Sequence, residues 1–359
     1  MNPTFAFLLA LLLSLALVPC VRRFAISAGL VNMPRRDRWD SRPVALLGGV
    51  AIFASYTITW MVFMELTTEQ LVIFAGGLIM FGLGLLDDIF RIAAGVKILV
   101  QCAVALGLTG FGIVSQITSS VWLDMLLTLV WIVGMTNALN LLDNMDGLSS
   151  GLAIVAAIGI FGLSLMHGQA EVALMCVALV GSCLGFLKFN VKPARIHMGD
   201  SGSLFLGYIL AVLALMAVWR HNPATTQKFL APVLVLAVAV FDTTLVSILR
   251  LANHRMPWFG GRDHSSHRLA LMFDHNEKHA VLTLYGIGIL AGALGMALPS
   301  FGILPCLILV TLFFTGMIAL GVSLGKISCD QRDDALADNS CECAAAAGKN
   351  SESIENNYL

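Results

Sequence analysis

Residues Asn137 to Gly151, NALNLLDNMDGLSSG, form a polar island between two long apolar runs. Carboxylates and amides in such surroundings are costly to keep unless they bind or react. Wound as a helix at about 100° per residue, Asn137, Asn140, Asp143 and Asn144 share one arc, while Ala138, Leu139, Leu142 and Met145 share the opposite one. An oxygen-rich face without a cation suits a hard metal ion or a hydroxylated ligand. Gly147 is expected to stop the helix, with Asp146 already in the turn. The plainer alternative is a helix end whose Asn and Asp only cap and turn the chain.

Further chemistry-bearing groups recur along the chain. Asp87 and Asp88 close an apolar run and are followed by Arg91 and Lys97. Adjacent carboxylates repel, which makes one of them a plausible general base beside a cation. In KFNVKPARIHMGDSGSLFLG, Asp200 stands between Gly199 and Ser201, where a turn enters a helix. That position serves a helix cap or a metal-phosphate pair. Asp242 lies several residues inside an apolar run, a depth at which a carboxylate faces a cavity or a partner. In HRMPWFGGRDHSSHRLALMF, Arg255, Arg262, Arg268, His264 and His267 crowd around Gly260 and Gly261, a combination suited to anion recognition rather than to a cation site. Leu269, Leu271, Met272 and Phe273 then read as a short amphipathic piece at the membrane interface.

The elements that position these groups are membrane helices. The 359 residues are 58% hydrophobic and only 12% charged, whereas soluble domains carry about 25% charged residues. Mean hydropathy is +0.86. Apolar segments of near-spanning length recur at 4–20, 44–64, 70–86, 98–114, 121–136, 152–166, 172–187, 202–219, 229–248, 280–298 and 301–323. An all-α polytopic membrane protein of about eleven transmembrane helices is expected, with a catalytic domain over 1–325 and a disordered cytoplasmic tail over 326–359. The first run, without a basic leader or a cleavage site, reads as a retained span. Of 21 Lys and Arg, 16 fall in the odd-numbered loops, which predicts that these loops and the C-terminus are cytoplasmic and the N-terminus is outside. The first loop alone holds Arg22, Arg23, Arg35, Arg36, Arg38 and Arg42, which serve topology or guide a phosphorylated ligand toward Gly48 and Gly49. Net charge is −1, which argues against a nucleic-acid partner. The eight cysteines show no ligand spacing, so neither zinc nor a disulfide framework is indicated.

Every cluster except Asp242 falls on one side of the membrane in this topology. That is the layout of a surface active site; a transporter places its ionisable residues near the midplane between repeated halves. Acids for a divalent ion, cations for phosphates and an apolar body for a lipid together point to phosphoryl transfer at the membrane surface. A multi-span transporter or flippase is the rival from another class.

The ordered set LDDIFR, NALNLLDNMDGLSSG, FNVKPARIHMGDSGSLFLG, the mid-span Asp242 and GGRDHSSHRL closely resembles the polyprenyl-phosphate N-acetylhexosamine-1-phosphate transferases, glycosyltransferase family 4, with its WecA-like and MraY-like branches. The resemblance runs from about residue 35 to 275. It implies transfer of a sugar 1-phosphate from a UDP-N-acetylhexosamine to undecaprenyl phosphate, with UMP released and Mg2+, or Mn2+ in its place, as cofactor. It further implies the bacterial inner membrane as location and leaves room for a homodimer. Carried over by residue, it makes Asn140 and Asp200 metal ligands and Asp87 the base on the lipid phosphate, with Asp88 beside it. Asp143 and Asp146 would organise the catalytic centre and the nucleotide, and Arg91 and Lys97 would meet phosphate oxygens. His264, His267, Arg262 and Arg268 would form a loop closing on the donor, and Asn137 and Asp242 join the substrate-binding set. Direct attack by the lipid phosphate is the favoured mechanism, with a covalent intermediate on a carboxylate such as Asp143 as the alternative.

Three departures carry information. His264-Ser265-Ser266-His267 stands where the MraY-like branch has adjacent histidines, which favours the WecA-like branch over a phospho-MurNAc-pentapeptide transferase. Arg91 replaces a lysine of MraY-like members and changes the hydrogen-bond geometry. Asp40 stands where many relatives carry His, so no role is assigned to it.

Overall fold

A computed structural model describes residues 2–32, 43–219, 226–254, 256, 261 and 263–327. Arg35, Arg36, Arg38, Asp40, Arg42, Arg255, Gly260, Arg262 and the tail expected beyond residue 327 lie outside the described residues. The described residues are mainly helical: α1 Pro3–Ser27, α2 Gly48–Phe63, α3 Thr68–Phe90, α4 Ala94–Gly110, α5 Val121–Leu142, α6 Leu148–Met166, α7 Ala170–Asn190 and α8 Asp200–Ala214. A π-helical turn, Leu215–Trp219, continues α8; then come α9 Thr226–Val235, α10 Ala237–Ala252, α11 Ser265–Met272, α12 Glu277–Ala297 and α13 Ile303–Gly325. The described strands are β1 Val31–Asn32 and β2 Val44–Ala45, paired antiparallel with Val31 opposite Ala45.

All eleven apolar segments fall on helices, but eight helices among the described residues are long and apolar enough to cross a membrane. The segments at 44–64 and 98–114 form helices of only 16 and 17 residues. The segment at 229–248 breaks at Leu236 into α9 and α10, with Pro232 inside α9. A hydropathy window sums apolar content and does not register a helix interruption, so it reads this segment as one span.

Helix α8 is the central post, with every residue from Ser201 to Trp219 buried. It packs against α3, α5, α2 and α6. Between helices in lipid the hydrophobic drive is weak, so close approach of small residues and satisfied polar tips hold the helices together. Tyr208 on α8 donates from its hydroxyl to the Ile73 carbonyl at 3.0 Å, and the Trp131 indole of α5 donates to the Ala211 carbonyl at 3.0 Å. A Cβ at Gly84 of α3 would lie 2.2 Å from the Asp200 carbonyl oxygen, so the two backbones meet where α3 ends and α8 begins.

The chain before α2 and the chain before α8 are lashed together. The His197 amide donates to the Ala45 carbonyl at 2.8 Å, and the amides of Gly48 and Gly49 donate to the carbonyls of His197 and Met198 at 2.8 Å each. Arg22, near the end of α1, donates to the Arg195 carbonyl at 3.0 Å. The first and fourth of the expected cytoplasmic loops are thereby one unit.

Gly84→Ala is expected to lower the thermal unfolding midpoint in detergent by several degrees, from overpacking of roughly 1–3 kcal/mol. Gly82→Ala, two residues away with nothing within 4 Å of its Cβ position, should leave the midpoint unchanged or raise it slightly.

Candidate active site

Helix α8 starts without a side-chain cap of its own: Gly199 holds φ +76° and supplies no side chain. The Asp88 carboxylate of α3 serves instead, accepting from the Asp200 amide at 2.8 Å and the Ser201 amide at 3.1 Å. These are charge-assisted bonds at the positive end of a helix, a setting in which capping contributes about 1–2 kcal/mol. A Cβ at Gly199 would come within 2.6 Å of an Asp88 carboxylate oxygen, so glycine is required there on both backbone and contact grounds.

With α3 and α8 fixed end to end, Asp87 and Asp200 are bridged by one ammonium. Lys97 Nζ, on α4, lies 2.7 Å from Asp87 Oδ2 and 3.1 Å from Asp200 Oδ2. The other Asp87 oxygen accepts from the Ile92 amide at 2.5 Å. Asn140 of α5 donates to Ser203 Oγ at 2.9 Å. Ser203 is three residues beyond Asp200 on the same helix, so this bond ties Asn140 to the first turn of α8. Asp143 caps the C-terminus of α5, and its charge reaches Asp88. The described residues here include the carboxylates of Asp87, Asp88, Asp143 and Asp200 and the ammonium of Lys97. The Asp200 side chain is 31% exposed and that of Asp87 12%, so Asp200 is the more open of the two.

The polar island behaves as predicted on its apolar side: Ala138, Leu139, Leu142 and Met145 are all buried. The helix ends earlier than predicted, at Leu142, and Gly147 precedes α6 rather than stopping α5. Asp143 and Asn144 therefore belong to the turn, which frees Asn144 to accept from Ser266 Oγ at 2.7 Å. That bond joins the turn to α11. The start of α11 is also held from α10, where Asp242 accepts from His264 Nδ1 at 2.8 Å and from the amide and hydroxyl of Ser265 at 2.7 and 2.6 Å. The His267 ring, 1% exposed, lies 6.0 Å from that of His264.

Several residues expected to meet a ligand make contacts within the protein. Asn137 pairs with the buried Gln101 of α4, donating to it at 2.6 Å. Asp146 accepts from the Ala194 amide at 2.9 Å and lies 3.6 Å from His197 Nε2, which ties the turn to the segment before α8. Asp242 is fully buried. Arg268 donates to the carbonyls of Leu324 and Ile327 at 3.0 and 2.6 Å, where it satisfies the end of α13. Arg91 is exposed at the left-handed C-cap of α3, with φ +55°. Of the four residues expected at the membrane interface, Met272 and Phe273 at the end of α11 are exposed, whereas Leu269 is buried within the protein. Sequence reasoning does not single out Ser203, Ser265, Ser266 or the Arg250–Asp263 pair as site residues. Ser203 is legible as the residue three after Asp200 on one helix face, whereas Arg250 has no local signal.

A helical membrane bundle whose one end gathers carboxylates, a lysine and an asparagine, flanked by a histidine-bearing helix, defines a membrane enzyme of the phosphoryl-transfer type. The family model described as glycosyl transferase family 4 matches residues 70–218. A probable undecaprenyl-phosphate N-acetylglucosaminyl 1-phosphate transferase of Bacillus subtilis is 33% identical over 307 residues, covering 82% of this chain and 84% of the relative. A decaprenyl-phosphate N-acetylglucosaminephosphotransferase of Mycolicibacterium smegmatis is 32% identical over 76% of each chain. A phospho-N-acetylmuramoyl-pentapeptide-transferase of Limosilactobacillus fermentum is 38% identical over 191 residues, 52% of this chain and 55% of the relative. The chain belongs to glycosyl transferase family 4.

Burial alone would raise the Asp263 carboxyl, but the buried Arg250 guanidinium, donating at 2.8 and 2.6 Å, holds it below the usual carboxylate range. A depressed folded value means the stabilisation is complete above the unfolded carboxylate pKa of about 3.9 and is lost as pH falls through the lower folded value. Hydrogen exchange of the α11 amides, corrected for intrinsic rates, should therefore stay flat from neutral pH to about 4 and rise below it. In Arg250→Gln it should be faster by on the order of tenfold already at neutral pH.

Proposed function

We propose that this chain transfers the sugar 1-phosphate of a UDP-N-acetylhexosamine to undecaprenyl phosphate, giving undecaprenyl-diphospho-sugar and UMP. The reading is carried by the bridged Asp87–Lys97–Asp200 group, in a bundle that also holds an apolar groove. That groove, about 440 Å³, is lined by Leu127, Trp131 and Ala138 of α5 and by Val240 and Thr244 of α10. The groove follows α5 for about 16 Å. A phosphate at the acids and an isoprenoid tail in the groove use both features at once. The names of the Bacillus and Mycolicibacterium relatives support the same acceptor class and an N-acetylglucosamine donor. The arginine-rich loops support a cytoplasmic site in a bacterial inner membrane.

In the proposed reaction an oxygen of the lipid phosphate forms a bond to the sugar-bearing phosphorus, the bond to the UMP phosphate breaks, and UMP departs. Asp87 takes the proton of the lipid phosphate. Lys97 turns from the carboxylates to phosphate oxygens, and Asp88 keeps α3 and α8 in register while this happens. Hard oxygen ligands and an excess of carboxylate fit Mg2+, which takes one or two protein ligands and completes its shell with phosphate and water. Asp200 and Asn140 would hold it, and it would neutralise charge on the diphosphate.

The test is an assay of purified protein with undecaprenyl phosphate, Mg2+ and radiolabelled UDP-sugars. Lipid-linked sugar and UMP should form with UDP-N-acetylglucosamine or a close relative. Turnover only with UDP-MurNAc-pentapeptide would move the chain to the MraY-like activity, and no product with any donor alongside substrate transport would sink the enzyme reading. Asp87→Asn and Asp200→Asn should each lower kcat by on the order of 10³-fold with an unchanged gel-filtration profile, and Cys343→Ala should leave the rate as it is.

A further inference from the structure

Asp242 is spent on a task that neither its depth nor the family resemblance assigns. It is fully buried and both its oxygens are occupied. Oδ2 is 2.8 Å from His264 Nδ1, and Oδ1 accepts from the Ser265 amide at 2.7 Å and the Ser265 hydroxyl at 2.6 Å. A carboxylate that accepts only can bond to Nδ1 of the imidazole only where Nδ1 carries the proton. The ring is thereby set in one tautomer and one orientation, with Nε2 as the nitrogen left to a ligand. The same carboxylate caps α11, whose next residue Ser266 holds Asn144 at the acid cluster.

We propose that Asp242 is the positioning residue for His264: it fixes the Nδ1–H tautomer and presents Nε2 to the UDP-sugar, where Nε2 meets the departing UMP phosphate. This rests on the transferase reading for its kinetic consequence, though not for the state of the ring. Carboxylate–imidazole pairs of this geometry orient the base in other enzymes and metal sites, where loss of the charge upsets the tautomer rather than the fold. Asp242→Asn cannot satisfy three donors, because its amide nitrogen faces either Nδ1–H or the Ser265 donors.

Three measurements on the full chain decide it. In protein labelled with 15N-histidine, the resonances lost in His264→Gln identify this ring; they should report Nδ1–H in the unmodified protein and change tautomer in Asp242→Asn. Kinetically, Asp242→Asn should lower kcat by on the order of 10²-fold with the KM for the UDP-sugar within about threefold, and should cost almost nothing further in the His264→Gln background. Ser265→Ala, which trims the helix cap but leaves the carboxylate–imidazole bond, should lose less than about fivefold. An Nε2–H ring in the unmodified protein overturns the proposal whatever the activity. So does a Ser265→Ala loss equal to that of Asp242→Asn together with additivity in the double variant, because Asp242 would then be a helix cap alone. Absence of product from the unmodified protein would count against the transferase reading, and the ring's tautomer would still judge the pair.

Discussion

The bond between the Asp88 carboxylate and the first two amides of α8 is the contact from which the site follows. An α-helix exposes unpaired amides at its start, and a buried start must find acceptors. Here the acceptor comes from a different helix, 112 residues earlier in the chain. Closing that contact sets the height of α3 against α8. Since Asp87 is the next residue on one side and Asp200 the first residue of the other, their separation is set by the same contact. Lys97 then needs only to reach one point to meet both acids.

The same device appears at α11, whose amide at Ser265 is taken by Asp242 of α10. Five of the described acids therefore divide into two kinds. Asp88, Asp146 and Asp242 bind backbone amides of distant segments and hold shape. Asp87 and Asp200 share the ammonium of Lys97 and keep part of their surface open. A low-dielectric surrounding serves both, because it strengthens the holding contacts and makes the open carboxylates strong attractors of cations.

The acid cluster is legible in the sequence because its members stand in short, polar interruptions of apolar runs, where a charged residue needs a reason to be. Asp87, Asp88, Asn140, Asp143 and Asp200 are all found at one end of the bundle, and the buried arc of the polar island matches its helical spacing. Which acid holds and which stays open is not legible, since each partner lies far along the chain: Asp88 with Ser201, Asp146 with Ala194, Arg268 with Leu324. A residue's type gives its bonding capacity but not the identity of the group that fills it, which is why the sequence does not show that Arg268 reaches the end of α13 or that Asn137 pairs with Gln101. The break of the 229–248 segment escapes a sequence reading on a different ground. Its apolar content is continuous, and the interruption arises from backbone geometry after Pro232.

The guanidinium of Arg268 has one further meaning. Its hydrogen bonds to Leu324 and Ile327 connect the last turn of α13 to the helix that carries His267. Much of α13 is exposed along its length, so this anchorage is a main route by which force on it reaches the remainder of the molecule. A pull exerted on the polypeptide past residue 327, whether by a fused reporter or a tethering surface, is transmitted straight to the histidine segment.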